Sequence, residues 1–165
     1  MTDRGDTMVS FTEAIRLFFQ RYTDFRGRST RAEYWWVQLA FILFFGLIAI
    51  LLAATGGLDA FTDLDAIEAG TVTPEFSGAA LAIIALAGLA VLALIVPAIA
   101  LTVRRFHDAG LSGWIYLGLV VAGFIPYVGV LASLASLVIT ILPSKPDNKW
   151  GPNPHGHHLA GDPVI

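Results

Sequence analysis

Three stretches of this chain carry no charged side chain: residues 34–58, 76–103 and 109–144, together 89 of the 165 residues. Charged residues make up 14% of the whole, against about 25% in a typical soluble domain. That leaves too little polar surface for a soluble globule, and too much apolar sequence for a disordered chain. A helix rises about 1.5 Å per residue and the hydrocarbon layer of a bilayer is about 30 Å thick, so roughly 20 apolar residues cross it once. The first two stretches fit one crossing each. The third, at 36 residues, would make a single helix of about 54 Å, and it holds Gly123, Pro126 and Gly129 near its middle. Proline lacks a backbone donor and disfavours helix in the residue before it, so this stretch reads as a hairpin of two short helices. The predicted spans are 34–54, 79–101, 112–124 and 127–142.

The basic residues test that count. All ten lie in three places: Arg4, Arg16, Arg21, Arg26, Arg28 and Arg31 before the first span, Arg104 and Arg105 after the second, and Lys145 and Lys149 after the fourth. The loop 55–78 has none and carries Asp59, Asp63, Asp65, Glu68 and Glu75. Cytoplasmic segments are the ones rich in Lys and Arg. Four spans with both termini in the cytoplasm put every basic residue inside; three spans would leave Lys145 and Lys149 outside. The inner side then sums to +2 and the outer loop to -5, so the acidic net charge of -3 belongs to one external loop. Residues 1–33 carry eleven charges and no apolar core, so the first apolar run is expected to stay as an anchor rather than be cleaved as a signal peptide.

Ahead of the first span, Phe11, Ile15, Phe18, Phe19 and Tyr22 recur at helical spacing, with Glu13, Arg16 and Gln20 on the other face. This is the pattern of an amphipathic helix, and Ser10 with Glu13 three residues later has the spacing of a capping box. The aromatics Phe11, Phe18, Phe19 and Tyr22 on one side and Arg16 and Arg21 near headgroups predict a helix lying in the cytoplasmic interface. The fold class expected is therefore an all-α integral membrane protein, a four-helix transmembrane bundle preceded by a cytoplasmic interfacial amphipathic helix. Its parts are a flexible N-terminus at 1–9, the interfacial helix at 10–24, a membrane domain at 25–144 and a flexible cytoplasmic tail at 145–165.

Two polar clusters flank the spans on the same face. Gly27-Arg28-x-x-Arg31-x-Glu33-Tyr34-Trp35 leads into the first, and Arg104-Arg105-x-His107-Asp108-x-Gly110-x-Ser112-Gly113-Trp114 joins the second to the third. Tyr34, Trp35, Trp36 and Trp114 suit an interfacial aromatic belt. Gly110 can end one helix and Ser112 can cap the next. These two signatures, with the turn Ile125-Pro126-Tyr127-Val128-Gly129 and the tail Asn148-Lys149-Trp150-Gly151-Pro152-Asn153-Pro154, resemble the bacterial inner-membrane family labelled domain of unknown function 805, over roughly residues 11–154. The resemblance implies a small multi-pass protein of the inner (plasma) membrane and brings no activity, substrate or cofactor with it.

The candidate site is the cytoplasmic-face cluster Arg28, Arg31, Glu33, Arg104, Arg105, His107 and Asp108. One reading has the arginines binding anionic lipid headgroups, at about 1 kcal/mol each, with Asp108 four residues after Arg104 and within helical reach of it. The other has the cluster converging, with Glu33 near Arg104 and Arg105, into a site for a small anion or a partner protein, where His107 titrates near neutral pH. His107, Asp108 and Ser112 do not make a catalytic triad by adjacency alone, and no nucleotide, metal-protease or nucleophile motif occurs. No catalytic residue, metal or cofactor is expected. His155, His157 and His158 lie in a Gly- and Pro-rich tail read as a solvated segment. Absence of cysteine removes thiolate sites and disulfides; a net charge of -3 with no dense basic face disfavours nucleic acid.

Two functions remain. The first is a non-enzymatic membrane component whose partners are the bilayer, a membrane protein or further copies of itself. The alternative is a small oligomeric transporter or channel, with the route lined by Ser133, Ser136 and Thr140. Ion pathways usually carry ionisable residues inside the membrane, and these four spans have none. The small residues Gly129, Ala132, Ser133, Ser136 and Thr140, and Gly118 with Ala122, suit close helix contact, and Pro97 is expected to kink the second span.

Overall fold

The computed structural model describes residues 9–58, 67–71 and 75–154. Five helices are present among them: α1 (Phe11–Gln20), α2 (Arg31–Ala54), α3 (Gly78–Asp108), α4 (Gly113–Ala122) and α5 (Val128–Ile141). No strand occurs among the described residues; one isolated bridge pairs Asn148 with Gly151. At about 1.5 Å per residue, α2 and α3 reach about 36 and 46 Å, α4 and α5 only about 15 and 21 Å. The two long apolar helices are each long enough to cross a membrane. The short ones occupy the hairpin expected at 112–142, with the turn at residues 123–127.

Contacts divide the chain into two compact units, residues 38–95 and the remainder. In the first, Ser77 Oγ accepts from the Ala80 amide and caps α3, while donating to the Thr55 carbonyl just past α2, both at 3.1 Å. Most large apolar side chains here point outward: Ile42, Leu43, Leu86 and Leu89 are each at least 60% exposed. Of the acidic loop, Glu68 and Glu75 are exposed; Asp59, Asp63 and Asp65 lie outside the described residues.

The second unit holds the buried polar residues, and three expectations are tested there. First, α3 runs beyond the predicted span 79–101, through Pro97 to Asp108, so Arg104, Arg105, His107 and Asp108 form its last turns and the helix ends where Gly110 predicts. The helix closes on Gly110 at φ +78°, where the Leu111 amide donates to Phe106 (2.9 Å) and the Gly110 amide to His107 (3.0 Å). This left-handed closure suits glycine, and a Cβ there would also lie 2.6 Å from Lys145 Cδ. Ser112 then caps α4, accepting from the Trp114 amide at 3.4 Å.

Second, α1 is docked rather than laid flat on its aromatic stripe. Ser10 caps it, accepting from the Glu13 amide at 3.3 Å. Ala14 and Phe18 are buried, whereas Phe11 and Phe19 are exposed and Ile15 and Tyr22 lie between. Trp36 Nε1 donates to the Val9 carbonyl at 2.9 Å and its ring meets Phe11 edge-on at 5.9 Å. Arg104 donates to the Arg21 carbonyl just past the other end. The chain thus supplies the core that the sequence did not reveal.

Third, residues 145–151 are not a free tail. The Lys145 amide donates to the Asp108 carbonyl at 3.0 Å, and Asn148 Nδ2 donates to the His107 carbonyl at 3.1 Å. Of the small-residue stripes, Ala132 and Thr140 are buried and Gly129 lies against the Gly123 backbone, where a Cβ would come within 2.6 Å of the Gly123 carbonyl. Gly118 faces open space instead, so its small size serves no close helix contact within this chain. Residues 1–8 and the residues from His155 onward, including His157 and His158, lie outside the described residues.

The docking of α1 sets an expectation. Phe18→Ala should destabilise the detergent-solubilised protein by about 3 kcal/mol or more, the usual cost of emptying a buried phenylalanine site. Phe19→Ala should leave the thermal midpoint nearly unchanged; equal losses for the two variants would contradict the docked geometry.

Candidate functional site

Six of the seven expected cluster residues are buried together at the end of α3; Arg31 alone is exposed. Asp108, with no exposed surface, is the centre. Its Oδ1 accepts from Arg28 Nε at 2.9 Å, and its Oδ2 accepts from Arg105 Nη1 and from Ser144 Oγ, the latter at 2.6 Å. Arg28 comes from the segment before α2, 80 residues away, and Ser144 from just past α5. The helix-turn pairing of Asp108 is therefore with Arg105, three residues back, and not with Arg104.

Arg104 points the other way round the helix. Its Nε donates to Ser29 Oγ at 2.9 Å and its Nη1 to the carbonyls of Arg21 and Asp24, at 3.1 and 2.6 Å. Nη2 meets Glu33 Oε1 at 3.4 Å, and Ser29 Oγ donates to the same oxygen at 3.0 Å. Glu33 is held at the start of α2, where Thr30 Oγ1 accepts from its amide. Arg105 reaches the far end of α5, donating to the carbonyls of Thr140 (3.0 Å) and Leu142. Arg28 further donates to the carbonyls of Pro146 and Gly151, both at 3.1 Å, and to that of Lys145. Two consecutive arginines on one helix turn thus bind the segment between α1 and α2 on one side and the α5 exit on the other, while Asp108 and Arg28 bind the tail.

His107 sits beside this cluster. Its Nδ1 donates to the Gly27 carbonyl at 3.2 Å, and its ring stacks on Trp150 with centroids 4.6 Å apart and planes 10° from parallel. Lys149 Nζ lies 4.5 Å over the same indole. Burial pulls the imidazole below its ordinary 6.5; the Gly27 bond opposes this, and the Lys149 charge adds to it. Burial also lowers both Arg104 and Arg105, opposed for Arg104 chiefly by Glu33 and for Arg105 chiefly by Asp108.

Every described buried side-chain nitrogen or oxygen has a hydrogen-bond partner. Arg104 and Arg105 have no exposed surface and Arg28 has 7%, and the guanidinium groups of all three are engaged by groups of this chain. Among the described residues, the exposed basic side chains are Arg16, Arg26, Arg31, Lys145 and Lys149, with Arg21 partly exposed. Sequence reading missed Ser29, Ser144, Asn148 and Trp150. The spacing Thr30 to Glu33 marks a helix start, and the tail motif carries Asn148 and Trp150, but nothing local signals Ser29 or Ser144. Among the described residues, no group of three metal-ligating side chains is assembled. Ser112 is occupied as a helix cap, and the Thr140 hydroxyl donates to the Leu137 carbonyl at 2.7 Å.

The class defined by these features is an all-helical chain with two apolar helices of membrane-crossing length and a buried ion cluster at the end of the second. The chain belongs to the family described as protein of unknown function (DUF805), which it matches over residues 22–152. That span contains every residue of the cluster. No curated protein and no solved structure matches the chain.

Two outcomes are expected. Asp108→Asn leaves two buried guanidinium groups without their counter-charge and should cost about 3–5 kcal/mol, while Arg31→Ala at the exposed position should stay within about 0.5 kcal/mol; thermal unfolding in detergent compares them. The His107 shift also fixes a sign. With its folded value below 6.5, the unfolded chain binds the proton first, so stability is full above 6.5 and declines as pH falls through that value. His107→Gln should flatten this part of the profile, and an unchanged slope would count against it.

Proposed function

We propose that this is a multi-pass protein of the bacterial inner membrane that acts without catalysis, as a structural or partner-binding component. In this reading α2 and α3 cross over about residues 34–54 and 79–101, and the α4–α5 hairpin enters the apolar layer and returns to the side it left. Both termini are cytoplasmic and loop 55–78 is external, which keeps all ten basic residues inside. Helix α1 lies at the cytoplasmic interface, with Phe11 and Phe19 toward lipid and Arg16 toward headgroups.

The observation that carries the reading is the exposure of the long helices: only 6% of the apolar window of each is buried. A soluble protein rarely exposes contiguous apolar patches beyond a few hundred Å², whereas lipid covers such a surface without cost. The buried ion cluster supports a positioning role. Its donors and acceptors are matched within the chain, so it holds the cytoplasmic ends of the helices in register and leaves the exposed basic residues to meet lipids or a partner.

Alkaline carbonate washing of membranes that contain the protein should leave it in the pellet, and purification from native membranes in mild detergent should bring down one stoichiometric partner. Release by carbonate would overturn the membrane assignment. Solute flux in liposomes that is lost in Ser136→Leu would overturn the non-transporting role.

A further inference from the structure

The α4–α5 hairpin belongs to the same chemistry as the long helices but not to the same length. It carries no charged residue between Ala109 and Ser144, and its tip is strongly exposed: Phe124 at 85%, Tyr127 at 91%, Ile125 at 53%. Helices of 10 and 14 residues reach about 15 and 21 Å, against a hydrocarbon layer of about 30 Å. Resting on the membrane reading above, we propose that α4–α5 is a re-entrant hairpin. Its tip, residues 123–127, stays among the acyl chains and never reaches the external headgroups.

Both ends of the hairpin are held at one level. Ser112 caps α4 four residues past the end of α3. At the other end, Arg105 holds the Thr140 and Leu142 carbonyls and Ser144 donates to Asp108. The base is therefore fixed at the charged end of α3, which the basic residues assign to the cytoplasm. Trp114, at 78% exposure, stands in the first turn of α4 at that base, where an aromatic suits the interface. From there the hairpin falls short of the far side by about 10 Å.

A turn inside hydrocarbon must satisfy its own backbone, since no water is there to do so. This one does so at five of its amides. The amides of Gly123, Phe124, Ile125, Val128 and Gly129 donate to the carbonyls of Leu119, Val121, Ala122, Pro126 and Ile125, at 2.8–3.2 Å. Pro126 has no amide to satisfy. The close backbone approach of Gly129 to Gly123 and the left-handed Tyr127 at φ +65° are the local distortions that make so compact a reversal. A loop that emerged into water would not need the apolar tip. The surface this creates fits the acyl chains of the cytoplasmic leaflet.

The absence of native cysteine makes the test direct. Single variants Glu75→Cys, Phe124→Cys and Lys149→Cys of the full chain are exposed to a membrane-impermeant maleimide, in spheroplasts and in inverted vesicles. Glu75→Cys should react only from outside, Lys149→Cys only from inside, and Phe124→Cys from neither until detergent is added. A nitroxide at position 124 should then relax with oxygen and not with a water-soluble nickel chelate. Labelling of Phe124→Cys from outside would mean two full spans and overturn the hairpin while leaving the membrane reading intact. Its labelling from inside, or relaxation by nickel, would place the tip in water and overturn the hairpin too. Failure of carbonate retention would instead remove the membrane reading itself. If Phe124→Cys does not insert, Ile125→Cys reports the same depth.

Discussion

Two arginines and a serine share one fully buried carboxylate, and the arrangement of the helix ends follows from that. Asp108 has no exposed surface, so its charge is tolerable only if Arg28, Arg105 and Ser144 are all in place; each comes from a different part of the chain. A buried ion pair is a weak source of net stability, because desolvation offsets the attraction, but it is severe about geometry. Moving any of the three segments leaves a buried charge unmatched. Arg104, one position before Arg105, imposes the same demand on Ser29, Glu33 and the end of α1.

This placement of polarity suits an apolar setting. Between helices surrounded by lipid there is no hydrophobic drive to associate, because the tails are as apolar as leucine. Something else must fix which helix ends meet. The outward-facing Leu, Ile and Val side chains do not discriminate, whereas five carbonyls gathered by Arg28 and Arg105 do. His107, stacked between the tail and the Gly27 turn, adds a neutral aromatic lid whose protonation works against the packing.

Much of the fold was legible along the chain. The charge-free runs mark the helices, Pro126 between Gly123 and Gly129 marks the reversal, and Ser10, Gly110 and Ser112 mark helix ends. The candidate cluster was legible as a list of residues, but the chain alone left open whether it faces headgroups or converges on itself around Glu33, Arg104 and Arg105. A charged side chain in a sequence is by default solvent-exposed, which favours the headgroup reading for Arg28, Arg104 and Arg105. Only the burial of Asp108 beside them reverses that, and Asp108 lies 80 residues from Arg28. The same default turned α1 onto lipid with Phe18 outward and left residues 145–151 unattached. Both errors come from contacts between segments that no local pattern encodes: Phe18 is spaced like a lipid-facing residue whether or not a neighbour covers it.

What the sequence by itself determined is where charge is absent, and hence which segments can be apolar helices, where they turn and at which of their ends the basic residues gather. Those properties depend on residues within a turn or two of each other. The tertiary structure alone decided which charges are internal, which distant segments they join, and that α1 and residues 145–151 pack beside them. Pairing of distant groups depends on what the rest of the chain places alongside, and electrostatics in a dry interior rewards only the one arrangement in which every charge is matched.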